Sequence, residues 1–103
     1  MIHIDEIIVV EGKFDKEKIK KFTDATVIST NGFSIYKNKQ LISFLREASK
    51  NTGIVILTDS DSAGFRIRNY IKQITGSDSK IKNLYKLHFH RKLWEYSFQK
   101  ASA

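Results

Sequence analysis

Gly53-Ile54-Val55-Ile56-Leu57-Thr58-Asp59-Ser60-Asp61-Ser62-Ala63-Gly64 is the stretch on which the fold turns. Four consecutive apolar residues, Ile54 to Leu57, read as a strand buried on both faces, and they lead into two aspartates one residue apart. Open α/β sheets bind their ligands at the carboxyl ends of the strands, and Asp59 and Asp61 fall at such an end. Two carboxylates this close in a turn repel each other unless a cation or a proton joins them. The pair therefore suggests a metal site.

Outward from this strand, helix and strand patterns alternate. Before it, Leu41, Ile42, Phe44, Leu45 and Ala48 recur at helical spacing from about residue 39 to 49, and Asn51-Thr52-Gly53 closes that helix with a glycine signal. Val27 and Ile28 centre a shorter strand that runs into Ser29-Thr30-Asn31-Gly32, a polar turn. Glu6 to Val10 is a β-branched run ending in Glu11-Gly12-Lys13. Asp15 can cap a helix over roughly 16–22, which would turn Phe14, Ile19 and Phe22 inward. Beyond the aspartates, Phe65, Ile67, Tyr70, Ile71 and Ile74 mark a helix over about 63–74 that ends at Thr75-Gly76-Ser77. Residues 81–87 alternate apolar and polar, as an edge strand does. Residues 88–103 carry Leu93, Trp94, Tyr96 and Phe98 among basic residues and read as a short helix or irregular tail.

The order is βαβαβαβ, the pattern of an α/β fold with a parallel sheet and right-handed crossovers. With 103 residues, one domain with one modest core is expected. All strand-to-helix turns then open on one edge of the sheet, which brings Glu11, the Thr30-Asn31-Gly32 turn and the aspartate pair together.

Composition narrows the chemistry. The chain has no cysteine, so disulfides and thiolate metal sites are excluded and any metal is held by oxygen or histidine. Hard oxygen ligands select magnesium or manganese. Glu11 and Asp59 are expected to face each other across adjacent strands, with Asp61 reaching the same cation. The net charge is +7; setting aside these three acids leaves 18 basic against 8 acidic residues, a balance of +10. A basic surface around an acidic pocket suits a polyanion whose phosphates reach protein-bound metal. The first residues are acidic where a signal peptide is basic, and no apolar run approaches membrane-spanning length. A cytoplasmic protein with no membrane partner is the expectation.

Val9-Val10-Glu11-Gly12-Lys13, together with Leu57-Thr58-Asp59-Ser60-Asp61 and Ala63-Gly64, resembles the Toprim domain of topoisomerases, bacterial primases, OLD-family nucleases and RecR-type proteins. Thr30-Asn31-Gly32 and Thr58-Asp59-Ser60-Asp61 bring it nearest to the Toprim domain of the bacterial ribonuclease that matures 5S ribosomal RNA, and to small stand-alone Toprim proteins. The resemblance covers about residues 5–87. It implies a Rossmann-like fold with a four-stranded, mainly parallel sheet that binds magnesium, or manganese, and performs phosphoryl chemistry on nucleic acid. By position Glu11 matches the family's general acid/base, while Asp59 and Asp61 match its magnesium ligands. Asp15 matches a further acid of the primase-like pattern Glu-Gly-x-x-Asp, a role compatible with helix capping. Ala63 stands where topoisomerases extend the motif with a third acid, which favours one magnesium position over two. No tyrosine has the context of a topoisomerase nucleophile. The ribonuclease continues well beyond its Toprim domain, so substrate recognition here is either reduced or supplied by a partner protein.

The nucleic-acid contacts expected from the residues are Lys13 as a point charge beside the site, Asn31 and Gly32 in the second turn, and one of Arg66 and Arg68. These two lie on different faces of their helix, and Arg66 is the nearer to its start. His88-Phe89-His90-Arg91-Lys92 mixes basic and aromatic groups as RNA-binding segments do, which adds His88, His90, Arg91 and Lys92. The expected function is magnesium-dependent phosphodiester cleavage of structured RNA; the alternative is a non-catalytic nucleic-acid-binding module that acts with a partner protein.

Overall fold

The structure, a computed structural model, describes residues 1–30, 36–58, 62–76 and 79–85, without the side chains of Ser62, Ala63 and Tyr85. Its elements run β1 (Ile7–Val10), α1 (Lys13–Lys20), β2 (Val27–Ser29), α2 (Lys39–Lys50), β3 (Ile54–Thr58), α3 (Ser62–Thr75) and β4 (Ile81–Tyr85). This is the expected βαβαβαβ order and the α/β class. The sheet is four-stranded in the order β2-β1-β3-β4, and every pairing in it is parallel.

Strand order and helix placement follow from the right-handed crossover rule. The chain steps from β1 to β2 in one direction across the sheet, then returns past β1 to β3 and on to β4. Reversing direction at constant handedness puts α1 on one face and α2 with α3 on the other. Two apolar layers record this. Ile19 of α1 packs with Ile8, Val10, Val27, Val55 and Leu57. Leu45 and Ala48 of α2 and Ile67 and Ile71 of α3 pack with Ile7, Val9, Ile54 and Ile56. The central strands β1 and β3 are thus buried on both sides, and all nine of their residues are buried. This is why they read as unbroken apolar runs rather than alternating ones.

Three local expectations are corrected. The first helix starts at Lys13 rather than near residue 16, because Gly12, in extended conformation, is its N-cap. Asp15 lies inside the first turn and is not the cap. Helix phase then follows from Ile19, the buried residue of α1: Phe14, five positions earlier, is turned about 140° away and is 89% exposed. Phe22 lies past the helix end and is also exposed, as are Phe44 and Phe65 on α2 and α3. The other helix ends behave as their residues require. Asn38 caps α2 by accepting from the Leu41 amide at 3.0 Å. Gly53, at φ +98°, turns the chain from α2 into β3 and donates to the Ala48 carbonyl. A Cβ there would lie 3.2 Å from the Lys80 carbonyl oxygen, so both the dihedral and the space favour glycine.

The amino-terminal segment is tied down at the end of the sheet opposite the strand-to-helix turns. Ile2 bridges Thr23, and Asp24 Oδ1 accepts from the Ile4 amide at 3.1 Å. His3 Nδ1 lies 2.7 Å from Asp24 Oδ2, and its Nε2 lies 2.7 Å from Asp5 Oδ1. A neutral imidazole has one N–H, so serving both carboxylates requires the cation. The bonds to Asp24 and then Asp5 raise the His3 pKa above its ordinary 6.5. The bond from His3, followed by the Ile4 amide, lowers that of Asp24 below 3.8. The His3 contribution to stability is complete below pH 6.5 and is lost as pH rises through the higher folded value; the Asp24 contribution is complete above 3.8 and is lost as pH falls through the lower one. The difference in unfolding midpoint between wild type and His3→Gln should therefore be greatest between pH 3.8 and 6.5 and disappear on the alkaline side. Parallel pH profiles for the two proteins would show that the cluster contributes nothing.

Four stretches lie outside the described residues: 31–35, 59–61, 77–78 and 86–103. They hold Asn31, Gly32, Asp59, Asp61, the expected end of the fourth strand at 86–87, and the segment with His88, His90, Arg91 and Lys92. No helix among the described residues is long and apolar enough to cross a membrane.

Candidate metal and nucleic-acid site

The carboxyl edge of the sheet has one place where the connections of neighbouring strands, on opposite faces, lead away from each other. It lies between β1, which leads to α1, and β3, which leads to α3. At such a switch point the two connections diverge and leave a crevice. The register pairs Val10 with Leu57 as the last partners of β1 and β3. One residue further on, the chain reaches Glu11 on one side and Thr58 on the other.

Glu11 is half-buried, and its Oε1 is out of contact with solvent. Its backbone is held from β2: the Thr30 amide donates to the Val10 carbonyl at 2.9 Å, and the Thr30 hydroxyl donates to the Glu11 carbonyl at 3.3 Å. Thr30 is fully buried, so the turn after β2 fixes the turn after β1. This positioning role is one that its place in a polar turn did not reveal. Gly12 then starts α1, and Asp15 Oδ2 lies 3.8 Å from the place a Cβ would take. Asp15 is thereby placed one helical turn from Glu11, half-buried in the first turn of α1.

On the β3 side Thr58 is fully buried, and among the described residues its Oγ1 has no hydrogen-bond partner. A buried hydroxyl left so costs free energy, about 1–3 kcal/mol. Thr58 directly precedes Asp59 in the chain. Among the described residues no three His, Asp or Glu side chains are grouped to hold a metal. Asp59 and Asp61, the acids that follow Thr58 in the sequence, lie outside the described residues. The donor types in the sequence, carboxylates at Glu11, Asp59 and Asp61 and no thiolate anywhere, would fit magnesium.

The cations are distributed on both faces. Lys13, Lys16 and Lys20 line a shallow cavity of about 360 Å³ with Glu17 and Ser29, on the α1 side of the edge. Arg66 is exposed on α3. Arg68 is half-buried, and its Nη2 donates to the Leu84 carbonyl at 3.0 Å and the Thr58 carbonyl at 3.4 Å. It is therefore Arg68 that reaches the strand ends, next to the crevice. The sequence contains the signal: Arg68 lies four residues after buried Gly64 and next to buried Ile67 and Ile71, at the border of the face that meets the sheet.

Comparison with known proteins agrees with this architecture. Residues 6–92 match the model of the Toprim domain family. The chain is 48% identical over 85 residues to Ribonuclease M5 of Borreliella burgdorferi, an alignment covering 82% of this chain and 46% of that protein. It is 40% identical over 87 residues to Ribonuclease M5 of Mycoplasma capricolum, again covering 82% and 46%. Against Ribonuclease M5 of Bacillus subtilis it is 46% identical over 70 residues, 68% of this chain and 37% of the relative. The match thus spans less than half the length of these curated relatives. Among solved structures, a small TOPRIM domain protein from Bacillus stearothermophilus superposes with a TM-score of 0.60 over 82% of this chain and 71% of its own, at 23% identity. The match to the family model, with the parallel order β2-β1-β3-β4 and the Glu11 turn beside β3, makes this chain a member of the Toprim domain family.

Proposed function

We propose that the chain is the catalytic domain of a magnesium-dependent ribonuclease that cleaves structured RNA in the manner of ribosomal RNA maturation, in the cytoplasm. The observation that carries this reading is the switch-point crevice: Glu11, with a carboxylate oxygen withheld from solvent, stands level with the strand that leads into Asp59 and Asp61. The identity with proteins named Ribonuclease M5 supports RNA over DNA as substrate.

Asp59 and Asp61 are the magnesium ligands in this proposal, with Glu11 and Asp15 completing or adjoining the set; manganese satisfies the same oxygen donors. When bound, the ion neutralises phosphate charge and lowers the pKa of water. Glu11 receives the proton of the attacking water, a role suited to a carboxylate whose environment is partly dry and whose backbone is fixed by Thr30. Lys13 places a point charge beside the phosphate, and Asn31 and Gly32, in the turn after β2, approach the RNA backbone. Arg66, His88, His90, Arg91 and Lys92 supply further contacts to the polyanion. A partner protein that adds substrate recognition is also part of the proposal.

In the second reading, a binding module without turnover, the cations lining the α1 side of the edge hold phosphate and no bond is cut. Incubating the purified chain with a ribosomal RNA precursor, in magnesium and in EDTA, separates the two. Cleavage in magnesium and none in EDTA is the expected result. RNA binding with steep salt dependence and no cleavage would establish the binding module instead.

A further inference from the structure

Among the described residues, one stripe of helix α3 is left uncovered. Its apolar positions Ile67 and Ile71 turn towards α2 and the central strands, and among the described side chains of β4 only Ile81 packs against that layer. Phe65, Arg68, Asn69 and Lys72, spaced three or four residues apart, therefore line up along α3 on the side of the outer strand. On β4, Ile81 and Asn83 are two residues apart and share one face. Together these six side chains border a groove of about 410 Å³, within the range of sites that hold a small ligand. Two of them are cations and two are amides; among the described residues that line it none is acidic.

The groove also joins the crevice. Arg68 is anchored at its head by bonds to the carbonyls of Thr58 and Leu84, and Thr58 is the last residue of β3. Phe65, in the first turns of the helix, is at the same end and is 64% exposed. An exposed aromatic ring at the mouth of a cationic, amide-lined groove is the arrangement on which an unpaired base stacks while its phosphate meets the charge.

We propose that the α3–β4 groove binds one nucleotide of the RNA strand next to the scissile phosphate. Phe65 stacks on the base, Lys72 with Arg68 faces the phosphate, and Asn69 and Asn83 hydrogen-bond to ribose or base edge. The charge of the lining selects a polyanion over the chain's own basic segment 88–92, which carries like charge. This assignment rests on the ribonuclease reading and adds to it a place for the base that flanks the cut.

The test is binding of a fluorescein-labelled RNA hairpin with a single-stranded flank, followed by anisotropy at several salt concentrations without divalent metal, so that nothing is cleaved. Circular dichroism melts confirm that each variant is folded. Phe65→Ala should weaken binding roughly ten- to a hundredfold with an unchanged salt slope, and Phe65→Trp should restore it. Lys72→Gln should lower the slope by about 0.7–0.9, whereas Lys50→Gln, at the far end of α2, should leave it unchanged. Binding by Phe65→Ala within twofold of wild type, a full slope for Lys72→Gln, or tighter binding by either variant overturns the groove assignment alone. Failure of the wild-type chain to bind RNA overturns the ribonuclease reading and this assignment with it.

Discussion

Glu11→Gln is expected to lower the single-turnover rate of RNA cleavage by about 10²–10⁴-fold, the range set by removing a positioned proton acceptor. That corresponds to roughly 3–5 kcal/mol of barrier. The substitution keeps the size and shape of the side chain while removing its charge and basicity. The fold should not suffer, since the main chain at Glu11 is held by the Thr30 hydroxyl and by the neighbouring Thr30 amide bond to Val10, and neither uses the carboxylate. Rapid-quench cleavage assays at saturating magnesium, paired with thermal melts, provide both measurements. Cleavage within tenfold of wild type, with an unchanged melt, would remove Glu11 from the chemistry and leave it as a structural residue of the β1 turn.

The second large effect concerns the aspartates. Asp59→Asn combined with Asp61→Asn should make the metal-free protein somewhat more stable, by about 1 kcal/mol, because two like charges at one strand end no longer repel. The same double variant should lose its response to magnesium. A site filled at a hundredfold excess over its dissociation constant adds about 2.7 kcal/mol to folding stability. For a domain near 100 residues that raises the unfolding midpoint of wild type by roughly 10–20 °C. Calorimetric scans of both proteins over a magnesium series read this without any assay of activity. Equal magnesium-dependent shifts in the two proteins would show that the metal is held elsewhere.

How much of this was legible before folding depends on the range of the interaction involved. Ile54 to Leu57 and Ile7 to Val10 announce buried parallel strands because each side chain meets a covered face, a demand every residue of the run records. Gly53 and Gly76 mark helix ends because positive φ, at +98° and +88°, is a local property. Helix phase is different. Phe14, Phe44 and Phe65 have the composition of core residues, yet each is exposed, because the sheet meets the stripe around Ile19, Leu45, or Ile67 and Ile71. A string of apolar letters does not say which stripe wins. Arg66 and Arg68 illustrate the same limit: nearness to the helix start favours the first, whereas the packed phase of α3 directs the second to the strand ends.

By itself, then, the sequence determined the α/β class and the order of elements, since periodicity and turn residues are written in short stretches. Only the tertiary structure decided the full order β2-β1-β3-β4: the expectation of Glu11 facing Asp59 across adjacent strands required β1 beside β3 but left β2 and β4 open, and pairings such as Ile8 with Val27 and Ile7 with Ile54 join segments far apart in the chain. That order places the switch point, and with it the crevice, between Glu11 and the strand leading to Asp59. It also leaves α3 only partly covering the outer strand, so that Phe65 and Lys72 border an open groove rather than a core. The physical reason is the same for both: burial of apolar area is settled among elements far apart in the chain, and the side chains it leaves outside become available for function.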